Sequence, residues 1–200
     1  MEKRETILYF GSFNPIHNGH TAIARYVIEK GFCEELWFVV SPQNPLKSEN
    51  ILAGELDRLR MAEIAVSEKL AGLDAKVSDV EFGLPRPSFT IDTLKYLEAN
   101  YPNNSFSLLM GTDIIPQLPR WKEYEKIVEN YNLYVYPRKG FTLTEMPYRA
   151  VYMKDAPLFE FSSTDIRQTL MDGNDISNMV SAKVMDYIID NNLWTRKNSK

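Results

Sequence analysis

Cysteine occurs once in this chain, at Cys33, and histidine only twice, at His17 and His20. A single thiol excludes an internal disulfide and any cysteine-built zinc cluster. No stretch approaches the ~20 apolar residues of a membrane span. The run Ile7–Phe10 behind Met-Glu-Lys-Arg-Glu is too short for a signal-peptide core. Excess positive charge is missing as well. Lys and Arg number 23 against 27 Asp and Glu, a formal charge of −4, so nothing is set up to grip duplex nucleic acid non-specifically. Internal repeats, low-complexity tracts and Gly/Ser linkers are absent. What is there is a 200-residue chain, 44% apolar and 25% charged, an ordinary globular composition. A domain of this length buries about 70% of the surface its unfolded chain exposes. The expectation is a soluble, cytoplasmic protein with neither membrane nor nucleic acid as partner.

Short apolar runs alternate with amphipathic segments. Ile7–Phe10, Leu36–Val40, Ala75–Val80, Phe106–Met110, Leu133–Tyr136 and Ala150–Met153 are rich in Val, Ile, Tyr and Phe and read as strands. Helical patterns fall between them: His20–Lys30 closed by Gly31, Glu55–Leu70 by Gly72, Thr90–Asn100 by Pro102, then Tyr124–Asn130. This alternation predicts an α/β fold, a Rossmann-like doubly wound parallel sheet with helices on both faces. The tail predicts two further helices, Thr164–Met171 and Ser181–Asn192. One domain over 1–200 is expected, with an α/β core at 1–160 and C-terminal helices at 161–200. Ligands of open α/β sheets bind beyond the C-terminal strand ends, which directs attention to the loops at 11–20, 41–50, 81–90 and 111–121.

The first of these loops reads Gly11-Ser12-Phe13-Asn14-Pro15-Ile16-His17-Asn18-Gly19-His20 and carries both histidines. Gly11 clears the strand end, and Gly19 lets backbone approach a ligand at the helix start. Free amides and the positive dipole end there favour a phosphate, to which His17 and His20 can donate hydrogen bonds. The alternative is glycines that serve a turn beside incidental histidines. Phe161-Ser162-Ser163-Thr164-Asp165-Ile166-Arg167 is the second candidate. Ser162 and Asp165 have capping-box spacing, which is purely structural. Arg167, however, falls in the first helical turn, where the dipole disfavours a cation unless an anion is bound.

Other loops add weaker signals. Lys47 can reach a second phosphate or lie solvated, and Asp113, behind Gly111-Thr112, can bond a ribose hydroxyl or cap a helix. Trp121 can stack on a flat ring or pack, Arg138 is open, and Met61, Met179 and Met185 read as core.

The segment 11–20 together with Ser162–Arg167 resembles the paired signatures of the HxGH nucleotidyltransferase superfamily. Pro87-Ser88-Phe89-Thr90-Ile91-Asp92-Thr93-Leu94, Gly111-Thr112-Asp113 and Trp121 narrow the resemblance to the bacterial nicotinate mononucleotide adenylyltransferases, over nearly the whole chain. Phe10 and Asn14 stand where that family usually has Gly and Asp, and Leu46 where it usually has His. The Gly-Ser-Phe-Asn-Pro version is similar to related enzymes that also accept nicotinamide mononucleotide.

What the resemblance implies is adenylyl transfer from ATP to nicotinate mononucleotide, yielding deamido-NAD and pyrophosphate in NAD biosynthesis. It assigns catalysis to His20, His17 and Arg167. ATP would be held by Gly11, Ser12, Phe13, His17, Gly19, His20, Gly111, Asp113, Ser162, Ser163 and Arg167. The mononucleotide would meet Ser12, Asn14, Lys47, Phe89, Thr90 and Trp121, with the amides of Phe89 and Thr90 on the nicotinate carboxylate. Clustered carboxylates for a metal cage are lacking, so Mg²⁺ is expected to arrive with ATP and keep several waters. The competing readings are a nicotinamide or dual-specificity adenylyltransferase, a phosphopantetheine-type adenylyltransferase, and a non-catalytic nucleotide sensor.

Overall fold

The computed structural model describes residues 2–42, 52–142 and 145–194. Its centre is one sheet of six parallel strands, β1 (Arg4–Gly11), β2 (Glu35–Val40), β3 (Ala75–Ser78), β4 (Asn104–Gly111), β5 (Leu133–Tyr136) and β6 (Val151–Tyr152). They lie in the order β3-β2-β1-β4-β5-β6. Six helices accompany them: α1 (Asn18–Glu29), α2 (Glu55–Lys69), α3 (Thr90–Asn100), α4 (Tyr124–Asn130), α5 (Ser163–Met171) and α6 (Ala182–Asp190). This is a Rossmann-like α/β fold with a small helical C-terminal part. The third strand stops at Ser78, short of the expected Val80, because Val80–Gly83 coils into a 3-10 turn. None of the helices among the described residues is long and apolar enough to cross a membrane.

Burial on both faces explains why the strands read as near-continuous apolar runs. Side chains alternate across a strand. In fully buried β2, Leu36, Phe38 and Val40 join Ile7 and Tyr9 under α1, α2 and α6. Trp37 and Val39 face the opposite way and pack with Leu8, Phe106 and Leu108 under α3. The C-terminal helices close over the first layer. Val184 and Ile188 of α6 enter that core, and Tyr187 Oη donates to Asp57 Oδ1 on α2 at 2.9 Å. The amide of Asn18, at the start of α1, donates to Met179 O at 2.8 Å.

β1 pairs with β2 on one side and β4 on the other, so strand order reverses between β1 and β4. A crevice opens there, beyond the carboxyl ends of the strands.

The loops around that crevice hang on a residue that the sequence pattern did not single out. Arg58 of α2 is fully buried, and no carboxylate hydrogen-bonds to it among the described residues. Its guanidinium donates instead to four carbonyls: Nε to Ala53 O at 3.1 Å, Nη1 to Ser12 O at 2.8 Å and Ser41 O at 2.6 Å, and Nη2 to Pro42 O at 2.6 Å. One planar fork thus ties the loop after β1 to the loop after β2 and to the approach to α2. Burial lowers its pKa to about 10, which leaves it charged at neutral pH. Arg58→Met would strand these carbonyls in the interior, and the expected loss is about 3 kcal/mol of unfolding free energy. Urea denaturation measures it; a loss below about 1 kcal/mol would contradict this role.

Candidate active site

A cleft of about 810 Å³ occupies the crevice, within the size range of small-molecule sites. Three helix starts border it: His17 and His20 at α1, Ser88 to Thr90 at α3, and Ser162 to Thr164 at α5. Helix starts present free amides and positive dipole ends. The described lining adds Arg120, Lys122, Arg138 and Arg167 against two carboxyl side chains, Glu81 and Asp113. In a chain of formal charge −4 the positive charge is therefore concentrated locally. Such a cleft attracts anions.

The two histidines are arranged by the backbone they cap. His17, not one of the commonest capping residues, is the N-cap of α1, which moves the helix start from the expected His20 back to Asn18. The Gly19 amide donates to His17 Nδ1 at 3.1 Å, and the His17 amide donates to His20 Nδ1 at 3.2 Å. An Nδ1 that accepts a hydrogen bond carries no proton, so the network assigns the ring proton of each to Nε2. The rings stack with centroids 3.7 Å apart. Gly19 also serves the packing of these rings. A Cβ there would sit 2.8 Å from His17 Cε1 and 3.2 Å from Phe159 Cγ, so the missing side chain makes room for the ring.

At the strand ends, the space beside Gly11 is filled by the Phe13 ring, which a Cβ would meet at 2.9 Å. Phe13 is buried and packs edge-on to Tyr9 and His20; Ser12 lies beside it on the cleft wall. Gly111 leaves room for Asp113 and Arg138, which cross the end of β4. A Cβ there would press on the Asp113 carboxylate and lie 2.6 Å from Arg138 Cγ. Arg138 Nε stands 3.7 Å from Asp113 Oδ1, and its amide donates to Thr112 Oγ1 at 2.9 Å. Arg138, open in the sequence, thus belongs to the cleft wall.

At α5, Ser162 caps the helix as its spacing predicts. Its amide donates to Asp165 Oδ2 at 2.7 Å, and its hydroxyl donates to the same oxygen at 2.7 Å. Ser163 Oγ donates to Pro15 O at 2.9 Å. With both hydroxyls engaged, this end offers an anion its backbone amides. Arg167 is the fifth residue of the helix rather than a first-turn residue, because the helix begins at Ser163. Its side chain still reaches back, donating to Thr164 Oγ1 at 3.2 Å and to Asn14 O at 2.7 Å. Its Nε is buried with no hydrogen-bond partner among the described residues.

Asn14 is buried, and its Oδ1 accepts the Ala53 amide at 3.0 Å. Across the cleft, Phe89 is the N-cap of α3, and no side chain caps that end. Trp121 lines the cleft half-buried. Lys122, which the sequence pattern missed, pairs with Asp92 at 2.8 Å and sits 5.0 Å from the Phe89 ring centroid. Lys47 lies outside the described residues. Among those residues no group of three or more His, Cys, Asp or Glu gathers as a metal site.

A family model described as cytidylyltransferase-like matches residues 8–169. A probable nicotinate-nucleotide adenylyltransferase of Flavobacterium johnsoniae is 41% identical over 194 residues, covering 94% of this chain and 98% of that protein. Another, from Bacteroides fragilis, is 42% identical over 192 residues, with coverages of 94% and 93%. The chain belongs to the cytidylyltransferase-like family, on its nicotinate-nucleotide adenylyltransferase branch. A solved Plasmodium falciparum nicotinic acid mononucleotide adenylyltransferase, complexed with NaAD, has the same fold. Its TM-score is 0.79 at 24% identity, over 96% of this chain and 97% of that one.

In this member of the family, burial and the Arg138 guanidinium drop the His17 imidazole from 6.5 to about 3. The folded protein therefore takes up this proton less readily than the unfolded chain. The stability at stake is intact above about pH 6.5 and is lost as pH falls toward 3, by up to about 1.4 kcal/mol per pH unit. His17→Asn offers Oδ1 to the Gly19 amide without a titrating ring. Urea midpoints of wild type and variant are expected to converge between pH 7 and 4.5, and parallel curves would contradict the burial argument.

Proposed function

We propose that this protein transfers the adenylyl group of ATP to nicotinate mononucleotide, releasing pyrophosphate and forming deamido-NAD, a cytoplasmic step of NAD biosynthesis. The observation that carries the reading is the convergence of three helix starts and four cationic side chains on one cleft. The relatives' names point the same way. The acceptor phosphate is already an anionic nucleophile, so no catalytic triad or covalent intermediate is required. One of its oxygens bonds to the α-phosphorus as the bond from that phosphorus to the pyrophosphate oxygen breaks. The protein's task is alignment and neutralisation of charge on the transferring and leaving oxygens.

His20 Nε2–H is assigned to the α-phosphate as the main transition-state donor, and His17 Nε2–H to the phosphates beside it. The α5 amides at Ser163 and Thr164, with Arg167, hold the β- and γ-phosphates; Arg138 supplies further positive charge. Arg167 also ties α5 to the 11–20 loop through Asn14 O, so phosphate binding and loop position are linked. Gly11, Ser12, Phe13, Gly19 and Gly111 shape the ATP side, and Asp113 takes a ribose hydroxyl. On the acceptor side stand Ser12, Asn14 and Lys47, Trp121 under the pyridine ring, and the Phe89 and Thr90 amides at its carboxylate. Mg²⁺ arriving with ATP would supply further neutralising charge at the phosphates, and no group of three or more His, Cys, Asp or Glu gathers to hold it among the described residues. The α/β core and the C-terminal helices act as one unit, since α5 supplies part of the ATP site.

Pyrophosphate release with ATP and, in turn, nicotinate mononucleotide, nicotinamide mononucleotide and phosphopantetheine tests the reading. Nicotinate mononucleotide is expected to give the highest kcat/KM. Release with phosphopantetheine alone, or binding of ATP without release, would overturn it. His20→Ala is expected to lower kcat by about 10²-fold or more while ATP affinity stays within about threefold; near-normal kcat would remove His20 from its role. Charge-assisted hydrogen bonds run roughly twice as strong as neutral ones, so nicotinate mononucleotide should be preferred over the amide by about tenfold or more, ~1.4 kcal/mol. Trp121→Ala should impair both acceptors. Equal use of the two acceptors in direct competition would defeat the carboxylate assignment.

A further inference from the structure

Glu81 sits in the 3-10 turn Val80–Gly83 between β3 and α3, only 2% exposed, on the cleft wall. Its Oε1 accepts the Thr93 hydroxyl at 2.8 Å, while that hydroxyl also lies 3.3 Å from Phe89 O. Oε2 has no hydrogen-bond partner among the described residues. Ser41 and Ser88 stand near enough to favour ionisation, but neither completes a bond to that oxygen, and burial outweighs them in raising the pKa. No cationic side chain among the described residues acts on the carboxyl. Burial without a cation or a full set of donors therefore shifts the carboxyl toward its neutral form, and the Thr93 hydroxyl is what ties the side chain to its surroundings.

The position matters because of what α3 does. Its N-cap is Phe89, no side chain receives the opening amides, and Ser88, Phe89 and Thr90 face the cleft. Through Thr93, Glu81 is two hydrogen bonds from the Phe89 carbonyl. The Thr93 hydroxyl thereby links the turn before α3 to the carbonyl of its N-cap, and the amides that open the helix keep the position this link gives them.

We propose that Glu81 is a specificity-determining positioning residue, a buried hydrogen-bonding hub that fixes the start of α3 and with it the amides that meet the acceptor's carboxylate. This rests on the function proposed above and deepens it: Glu81 tunes the choice between an acidic and a neutral pyridine mononucleotide through the start of α3.

Steady-state kinetics on the full chain, with both mononucleotides at saturating ATP, test it. Glu81→Gln keeps an acceptor for the Thr93 hydroxyl, and its ratio of kcat/KM for nicotinate over nicotinamide mononucleotide should stay within about twofold of wild type. Glu81→Leu removes the hub. Its ratio should fall about fivefold or more through a raised KM for nicotinate mononucleotide, with kcat and the KM for ATP within about twofold. Thr93→Val removes only the hydroxyl and should shift the ratio the same way, which keeps the test open if the leucine variant fails to fold. A Gln variant that changes the ratio by more than about fivefold would show that the charge matters, and would overturn the inference. So would Leu and Val variants that lose both acceptors equally, the pattern of a purely structural residue. A wild type that turns over neither mononucleotide, or prefers the amide, defeats the proposed function itself and this inference with it.

Discussion

Two backbone amides at the start of α1 decide which ring nitrogens the histidines have to offer. Gly19 and His17 each donate to an Nδ1, one on His17 and one on His20, and so each ring's proton is placed on Nε2. The interaction is a capping box built from imidazoles. It satisfies two of the donors that a helix start leaves unpaired, and it fixes the tautomers of a pair of donors in the same stroke. Burial keeps His17 a neutral donor at physiological pH. Fixed dipoles need no reorganisation when charge develops on a transferring phosphoryl group.

The rest of the cleft is organised so that this arrangement fits. Gly19 lacks a side chain because the His17 ring lies where a Cβ would be, and Gly11 lacks one because the Phe13 ring does. Phe13 carries φ 43°, the left-handed region that glycine favours, in the loop that leads from β1 to the histidines. Arg58 secures that loop by the Ser12 carbonyl, and Arg167 and Ser163 secure it from α5 through Asn14 and Pro15. The positive side chains of the cleft are held along with it. Arg138 passes over Gly111 beside Asp113, and Lys122 is tethered to Asp92.

Much of the scaffold was legible in the sequence because period and punctuation agreed. Thr90–Asn100 and Tyr124–Asn130 form helices over the expected spans, and the Ser162–Asp165 spacing becomes a real capping box. Apolar runs such as Leu36–Val40 marked strands because both faces of the sheet are covered. The start of α1 was less legible, since histidine is a rare cap and its role depends on a ring accepting an amide. Arg58 and Glu81 left no signal at all. A charged residue in an amphipathic helix or a polar turn looks solvated, and only the fold reveals that Arg58 meets four carbonyls or that Glu81 is buried beside Thr93. Lys122 was hidden for a related reason: its neighbours Phe89 and Asp92 lie some thirty residues earlier in the chain.

Backbone hydrogen bonds to both Nδ1 atoms leave each histidine with its ring proton on Nε2. With two histidines in the chain, long-range nitrogen–proton correlation spectra of ¹⁵N-labelled protein at pH 7 read it directly, His17→Asn providing the assignment. Both rings are expected to show an Nε2–H tautomer in the free protein. ATP is expected to shift the Nε2 resonances more than those of Nδ1. An Nδ1–H tautomer at either ring, or an ATP-dependent shift confined to Nδ1, would contradict this arrangement.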